Sequence, residues 1–167
     1  DNEHYRVLNY ISDSYSEDVV KNTQQSEQAA YAFGVFTHAL QDFDAQQLHT
    51  VIPDFHNLAM RFEQLNTAIT NNSVNRVKQI PLRVCHNDTK INNMLFCSAT
   101  HKAKAVIDLD TCMAGFRLYD FGDMVRTFCS PEAEDSTNLR NVVIRKDIFS
   151  AIVKGYVTPL KSSMSKQ

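Results

Sequence analysis

The amino-acid sequence predicts an α+β fold that is mainly helical, with short strands concentrated in its middle. Three observations support this prediction. Apolar residues recur at helical spacing in four separate segments, and three short apolar runs lie between residues 82 and 107. The 167 residues, 43% of them hydrophobic, suffice for one domain with a substantial core.

The first elements follow from the types of residue present. Residues 5–11 mix β-branched and aromatic side chains, which indicates an extended segment. A polar connection follows over residues 12–28, and a helix is expected to begin inside it. Its core-facing side would consist of four apolar residues at helical spacing, namely Ala29, Phe33, Phe36 and Leu40.

A second helix is expected to begin near Pro53, because proline followed by an acidic residue suits a first helical turn. Polar residues 71–75 would end this helix. Its apolar face would comprise Phe55, Leu58, Ala59, Phe62, Leu65 and Ile69.

Strands are predicted at residues 82–85, 94–96 and 105–107, and a helical pattern returns after Gly115. Polar residues 131–138 predict a loop. The tail over residues 161–167 is expected to be disordered. Before it, a final amphipathic helix is predicted from Val142, Val143, Ile144, Ile148, Ile152 and Val153.

Composition argues against several functional classes. The 17 basic and 19 acidic residues give a net charge of −2, so nothing electrostatic favours nucleic acid or an anionic membrane as a partner. No apolar run reaches the ~18 residues of a membrane span. The four cysteines lack CxxC spacing, which disfavours a zinc ribbon or a thioredoxin-like site. We therefore expect reduced cysteines and a cytoplasmic protein.

Polar residues of chemical interest concentrate between residues 85 and 126. His86, Asp88 and Asn93 lie between two apolar strands, while Asp108 and Asp110 directly follow the third strand. A hairpin returning from Asn93 would bring Asp108 close to Asp88. Alternation along a strand would put Asp108 and Asp110 on the same side.

This grouping suits phosphoryl transfer, which needs a carboxylate to orient a hydroxyl, oxygen ligands for Mg²⁺ and a positive charge over the moving phosphate. Asp88 can accept the proton. Asn93 and Asp108 can supply oxygen ligands. Lys90 is a cation two residues beyond Asp88.

The motifs of residues 86–93 and 107–110 resemble those of the aminoglycoside phosphotransferase and choline kinase family, which has a protein-kinase-like fold. Residues 115–126 are similar to the continuation of that family. One difference from the protein-kinase motif is Asn87, which stands where those enzymes carry arginine.

The resemblance implies roles for the matched residues of the first motif. Asp88 would be the catalytic base, and His86 would pack beneath the catalytic loop and hold its backbone. Lys90 would approach the transferred phosphate. Asn93 would bind both Mg²⁺ and the nucleotide.

The second motif and its continuation carry the remaining implied roles. Asp108 would bind Mg²⁺ and the nucleotide, and Asp110 would assist at the metal. Asp120 would cap the next helix and brace the catalytic loop. Residues 120–122 spell the Asp-Phe-Gly of protein kinases, but they lie inside a helical pattern, so Asp108 is the expected metal ligand.

The family's active site lies between two lobes, and the small lobe supplies a phosphate-covering loop and a lysine. The chain has only four glycines, too far apart for a glycine-rich loop, and neither feature fits upstream of Asp88. We therefore expect a C-terminal large lobe over residues 13–160, with residues 1–12 ending the small lobe or forming the hinge. The missing N-terminal lobe of the same protein would be a partner of this chain.

The sequences of residues 87–93 and 50–56 are similar to those of the N-acetylhexosamine 1-kinase branch of this family. The resemblance thus implies ATP- and Mg²⁺-dependent phosphorylation of a small-molecule hydroxyl, with a sugar or amino-sugar as the expected acceptor. Choline or an aminoglycoside is the alternative acceptor. A non-catalytic, kinase-like binding or regulatory module is the alternative function.

Overall fold

The computed structural model of the chain describes residues 8–53 and 81–163. In these ranges three α-helices occur, α1 (Thr23–Ala39), α2 (Arg117–Phe128) and α3 (Lys146–Leu160). The strands are β1 (Ser14–Tyr15), β2 (Arg83–Cys85), β3 (Met94–Cys97), β4 (Ala103–Val106) and β5 (Met113–Gly115). The predicted α+β, mainly helical class is confirmed.

Helix α1 begins where its sequence provides a cap. The side chain of Asn22 accepts a hydrogen bond of 2.8 Å from the backbone N of Gln25, which satisfies one of the free donors of the first turn. The helix packs against α3, and the two come close where Gly34 faces the backbone oxygen of Tyr156. A β-carbon at residue 34 would lie 2.6 Å from that oxygen, so the approach requires glycine.

The strands form two small antiparallel sheets. One has the order β1–β3–β4, with Met94 opposite Val106 and an irregularity between Leu95 and Phe96. The other pairs β2 with β5, so that Cys85 lies opposite Met113. The sheets place two connections side by side: residues 86–93 after β2, and residues 107–112 after β4.

The main core lies between the helices and the three-stranded sheet. Its fully buried side chains include Phe33 from α1, Phe96 from β3, Phe128 from α2 and Ile152 from α3. All four cysteines are free thiols. Among the described residues, no helix is both long enough and apolar enough to cross a membrane.

Some sequence predictions need correction. Residues 8–11 form no strand, and the extended pairing begins later, at β1. The last helix begins at Lys146, so Val142, Val143 and Ile144 lie before it and are 52%, 54% and 69% exposed. The helix predicted after Pro53 falls on residues 54–80 and lies outside the described residues, as do residues 5–7 and 164–167.

The start of α3 has a physical cause in the side chain of Arg145. Its guanidinium donates hydrogen bonds of 2.7–3.2 Å to the backbone oxygens of Phe128, Cys129 and Ser130 at the end of α2. It also donates to the backbone oxygen of Val20. Arg145 itself is extended, and these contacts fix it as the residue from which α3 departs.

Candidate active site

The loop between β2 and β3 brings three of the predicted residues into direct contact. The amide nitrogen of Asn93 donates to the backbone oxygen of Asp88 at 2.8 Å and to its Oδ2 at 2.9 Å. The ammonium of Lys90 lies 3.0 Å from the same Oδ2. Among the described residues, Oδ1 of Asp88 has no such contact and is the carboxylate oxygen left to accept another proton. The hydrogen bond with Asp88 raises the pKa of Lys90.

His86 lies beneath this loop and is fully buried. Its Nε2 is 2.9 Å from the backbone oxygen of Ile107, and its ring meets Phe33 and Phe36 edge to face. Burial lowers the pKa of His86, which favours the neutral ring with its proton on Nε2, where Ile107 accepts it. His86 therefore joins the two loops of the site and does not reach solvent.

The second loop begins where β4 ends. The backbone N of Ile107 donates to the backbone oxygen of Asn93 at 3.0 Å, so the next residue, Asp108, starts beside the end of the first loop. Asp108 is exposed and adopts a left-handed backbone conformation, with φ 58° and ψ 60°. Residues Leu109–Thr111 then form a 3-10 helix that contains the exposed Asp110.

This geometry corrects the expectation that Asp108 and Asp110 share one side of a strand. The strand ends at Val106, and the left-handed residue followed by a 3-10 turn replaces the simple alternation. Within the described residues, no group of three or more His, Cys, Asp or Glu side chains could hold a metal ion. A cation site here would combine the Asp108 carboxylate with the amide oxygen of Asn93.

The donor set at this position fits Mg²⁺ by its chemistry. Both hydrogen bonds of the Asn93 amide nitrogen go to Asp88, which orients the amide and leaves Oδ1 of Asn93 for a cation. Mg²⁺ prefers hard oxygen ligands and commonly uses one or two protein groups together with substrate phosphates.

Asp120 holds the first loop from below. It lies in the first turn of α2, and its side chain does not cap that helix, whose N-cap is Phe116. Its fully buried carboxylate accepts hydrogen bonds from the backbone N of His86 at 3.0 Å and of Asn87 at 2.8 Å. Desolvation raises the pKa of Asp120 to about 7, against the lowering effect of these two hydrogen bonds.

Asn87 stands where the protein-kinase motif has arginine, and its side chain connects the two loops by hydrogen bonds. Its backbone is left-handed, with φ 64°, a conformation that asparagine tolerates better than most residues. Its amide donates to the backbone oxygens of Cys85 at 3.2 Å and Thr111 at 3.1 Å. In return, the hydroxyl of Thr111 donates to the backbone oxygen of His86 at 2.7 Å.

Sequence reasoning does not single out Thr89, although the structure places it in the middle of the site. The backbone N of Thr89 donates to Oδ2 of Asp123 at 2.7 Å, and its hydroxyl donates to the backbone oxygen of Asp120 at 2.8 Å. The available signal is the spacing of Asp120 and Asp123, which puts two carboxylates on one face of α2.

A cleft of about 770 Å³ opens beside Lys90. One wall comes from residues 90–92, another from Arg126 and Thr127 of α2, and a third from the loop after α2. Two cations and four carboxylates contribute to its lining: Lys90, Arg126, Asp18, Glu132, Glu134 and Asp135. The cleft is large enough for a small molecule and has Lys90, the partner of Asp88, in its wall.

Comparisons with known proteins found a similar solved structure and a matching family model. One similar solved structure is described as an aminoglycoside-3'-phosphotransferase of type VIII, and its alignment with this chain has a TM-score of 0.44 and 16% sequence identity. It covers 89% of this chain and 59% of that one, so the chain spans less than two thirds of that protein. The model of the phosphotransferase enzyme family, APH, matches residues 38–141, which is well over half of the 167 residues. The chain therefore belongs to the APH phosphotransferase family.

Proposed function

We propose that this chain carries the catalytic loop of an ATP- and Mg²⁺-dependent phosphotransferase that acts on a hydroxyl of a small molecule. The observation that carries the proposal is the contact cluster around Asp88. Its Oδ2 is held by Asn93 and Lys90, and its Oδ1 is left for a further hydrogen bond. Family membership supports the same class of reaction.

In the proposed reaction, Asp88 orients the acceptor hydroxyl and takes its proton on Oδ1. A bond forms between the acceptor oxygen and the γ-phosphorus of ATP, while the bond from that phosphorus to the β,γ-bridging oxygen breaks and ADP leaves. Lys90 balances negative charge next to Asp88. Mg²⁺ held by Asn93 and Asp108, with Asp110 nearby, would neutralise charge on the phosphate oxygens.

The proposed acceptor is a sugar or amino-sugar, because the sequence of residues 87–93 is similar to that of the N-acetylhexosamine 1-kinase branch. A second class has a structural observation in its favour. Four carboxylates contribute to the cleft beside Lys90, against two cations, which would suit an amine-bearing acceptor such as an aminoglycoside or choline. A panel of neutral and cationic acceptors therefore distinguishes the two.

The test is a Mg²⁺-ATP phosphorylation assay with that panel, on this chain and on a longer protein that joins it to the proposed small lobe. Asp88→Asn should lower kcat by roughly 1000-fold or more, because the proton acceptor is lost while the shape is kept. The matched control is Asp42→Asn at an exposed aspartate of the loop after α1, which should keep wild-type activity. Turnover that survives Asp88→Asn, or no turnover by either protein, would contradict the proposal and favour a non-catalytic module.

A further inference from the structure

The peptide group between Asp88 and Thr89 is held at both of its polar ends. Its carbonyl oxygen accepts from the Asn93 amide at 2.8 Å, and its N–H donates to Oδ2 of Asp123 at 2.7 Å. A peptide group is planar, so holding both ends fixes the orientation of its plane and restrains the backbone torsions on either side of it. One of these is the ψ of Asp88, which helps set the direction of its side chain.

Asp123 uses its two oxygens for different partners. Oδ2 accepts from the backbone N of Thr89 and, at 3.3 Å, from its hydroxyl. Oδ1 accepts from Nε of Arg126 at 3.1 Å and from its terminal nitrogen Nη2 at 2.7 Å. The two donors of the guanidinium converge on this one oxygen and anchor it, and the bonds to Oδ2 from Thr89 then set the orientation of the carboxylate.

Arg126 continues the chain of contacts to the wall of the cleft. Its other terminal nitrogen, Nη1, forms an ion pair with Glu134 in the loop after α2. Arg126, Glu134 and Lys90 all line the same cleft. A continuous set of contacts thus runs from the cleft wall through Arg126 and Asp123 to the backbone beside Asp88.

We infer that Asp123 is a positioning residue for Asp88, held in its working orientation by Arg126, and that the Arg126–Glu134 ion pair links this support to the wall of the acceptor cleft. The inference rests on the proposed function, since it gives Asp88 the role of base. It adds residues that act through the backbone and do not touch the reacting atoms.

The experiment compares four variants with the wild-type protein. Asp123→Asn removes one of the two acceptor oxygens, Arg126→Gln removes the fork, and Arg126→Lys keeps the charge without the fork. Arg126 is 52% exposed, so its variants avoid the folding cost expected for the buried Asp123. The control is Glu27→Gln, which breaks a comparable ion pair of 2.9 Å with Lys154, between α1 and α3.

The first readout is hydrogen exchange of the Thr89 amide, measured by nuclear magnetic resonance, which needs no catalytic activity. We expect exchange to rise by roughly 10-fold or more in Asp123→Asn and Arg126→Gln, by less in Arg126→Lys, and not at all in Glu27→Gln. Thr89 exchange in Arg126→Gln equal to that in Glu27→Gln would overturn the inference, whatever the activity of the protein.

The second readout is steady-state kinetics. Misorientation of Asp88 should lower kcat by roughly 10- to 100-fold and leave KM for ATP within about 2-fold, with partial recovery in Arg126→Lys. Faster exchange with unchanged kcat would reduce Asp123 to a structural role and contradict the inference. If the wild-type protein turns over no acceptor, the proposed function fails, while the exchange data still decide whether Asp123 and Arg126 hold the loop.

Discussion

Replacing Asp120 by asparagine is expected to remove a dependence of stability on pH that the wild-type chain carries. Asp120 is fully buried beneath the loop of residues 86–93, and desolvation raises its pKa to about 7, although two backbone N–H groups favour its charged form. In the unfolded chain an aspartate titrates near ~4. Between these two values the folded protein retains a proton that the unfolded protein releases.

The sign and size of the effect follow from proton linkage. The contribution of Asp120 is fully present below the unfolded pKa, falls as pH rises toward about 7, and is lost above it. One proton gives a slope of about 1.4 kcal/mol per pH unit inside that range. Between about pH 6 and about pH 8 the loss is on the order of 1 kcal/mol, which shifts Tm by about 2–4 °C for a chain of this size.

The measurement is thermal unfolding of the wild type and Asp120→Asn at about pH 6 and about pH 8. Asparagine resembles the protonated acid in shape and keeps one acceptor oxygen, but its NH2 group cannot accept from the second backbone N–H, so the variant should be less stable by a similar amount at both pH values. Subtracting the Tm change of the variant from that of the wild type cancels the contributions of the six histidines and the other carboxyls, because both proteins share them. Tm values that change in parallel would refute the assignment of a raised pKa to Asp120, and the exposed Asp42→Asn should follow the wild type.

Two further pairs of variants test the geometry of the loops and the helix packing by urea unfolding. Asn87→Gly removes the side-chain hydrogen bonds to the backbone oxygens of Cys85 and Thr111 but tolerates the left-handed backbone, whereas Asn87→Ala removes the same bonds and also strains the backbone. The alanine variant should therefore be less stable than the glycine variant by about 1 kcal/mol. The reverse order of stability would contradict the φ of 64° at residue 87. A β-carbon at Gly155 would clash with the backbone of Glu27 and Tyr31, while at Gly122 it would meet nothing within 4 Å. Gly155→Ala should therefore lower the free energy of unfolding by about 1–3 kcal/mol, and Gly122→Ala should raise it by about 0.5–1 kcal/mol. Equal effects of the two substitutions would show that α1 and α3 do not pack as described.

The periodicity of apolar residues predicted the elements that depend on local pattern. The apolar face through Ala29 and Phe33 marked α1, and the short apolar runs marked β2, β3 and β4 to within about two residues. The same reasoning failed where a distant contact decides the backbone. Residues 142–144 look helical by pattern, but the four backbone oxygens bound by Arg145 set the start of α3.

The candidate site also has some features that local sequence pattern predicts and others that distant contacts decide. The spacing of Asp88, Asn93 and Asp108 is visible in the sequence because Asn93 directly precedes a strand, and Asp88 and Asp108 each lie within three residues of the end of one. The contact between Thr89 and Asp123 spans 34 positions and depends on how α2 docks under the loop. No local pattern contains that information, and the left-handed turn at Asp108 is equally invisible to a strand-alternation argument.

The Asp-Phe-Gly of residues 120–122 illustrates why position in the fold decides what a motif does. Both carboxylate oxygens of Asp120 accept from backbone N–H groups, and its side chain is fully buried, so it holds the backbone of the loop and does not face solvent. Asp123, one helical turn later, presents its carboxylate on the same face to Thr89. A single helix face thus binds the backbone N–H groups of His86, Asn87 and Thr89, on both sides of Asp88. Such bracing suits the proposed role of Asp88 as a base, because misplacing a catalytic group by even about 1 Å lowers the rate of a reaction substantially.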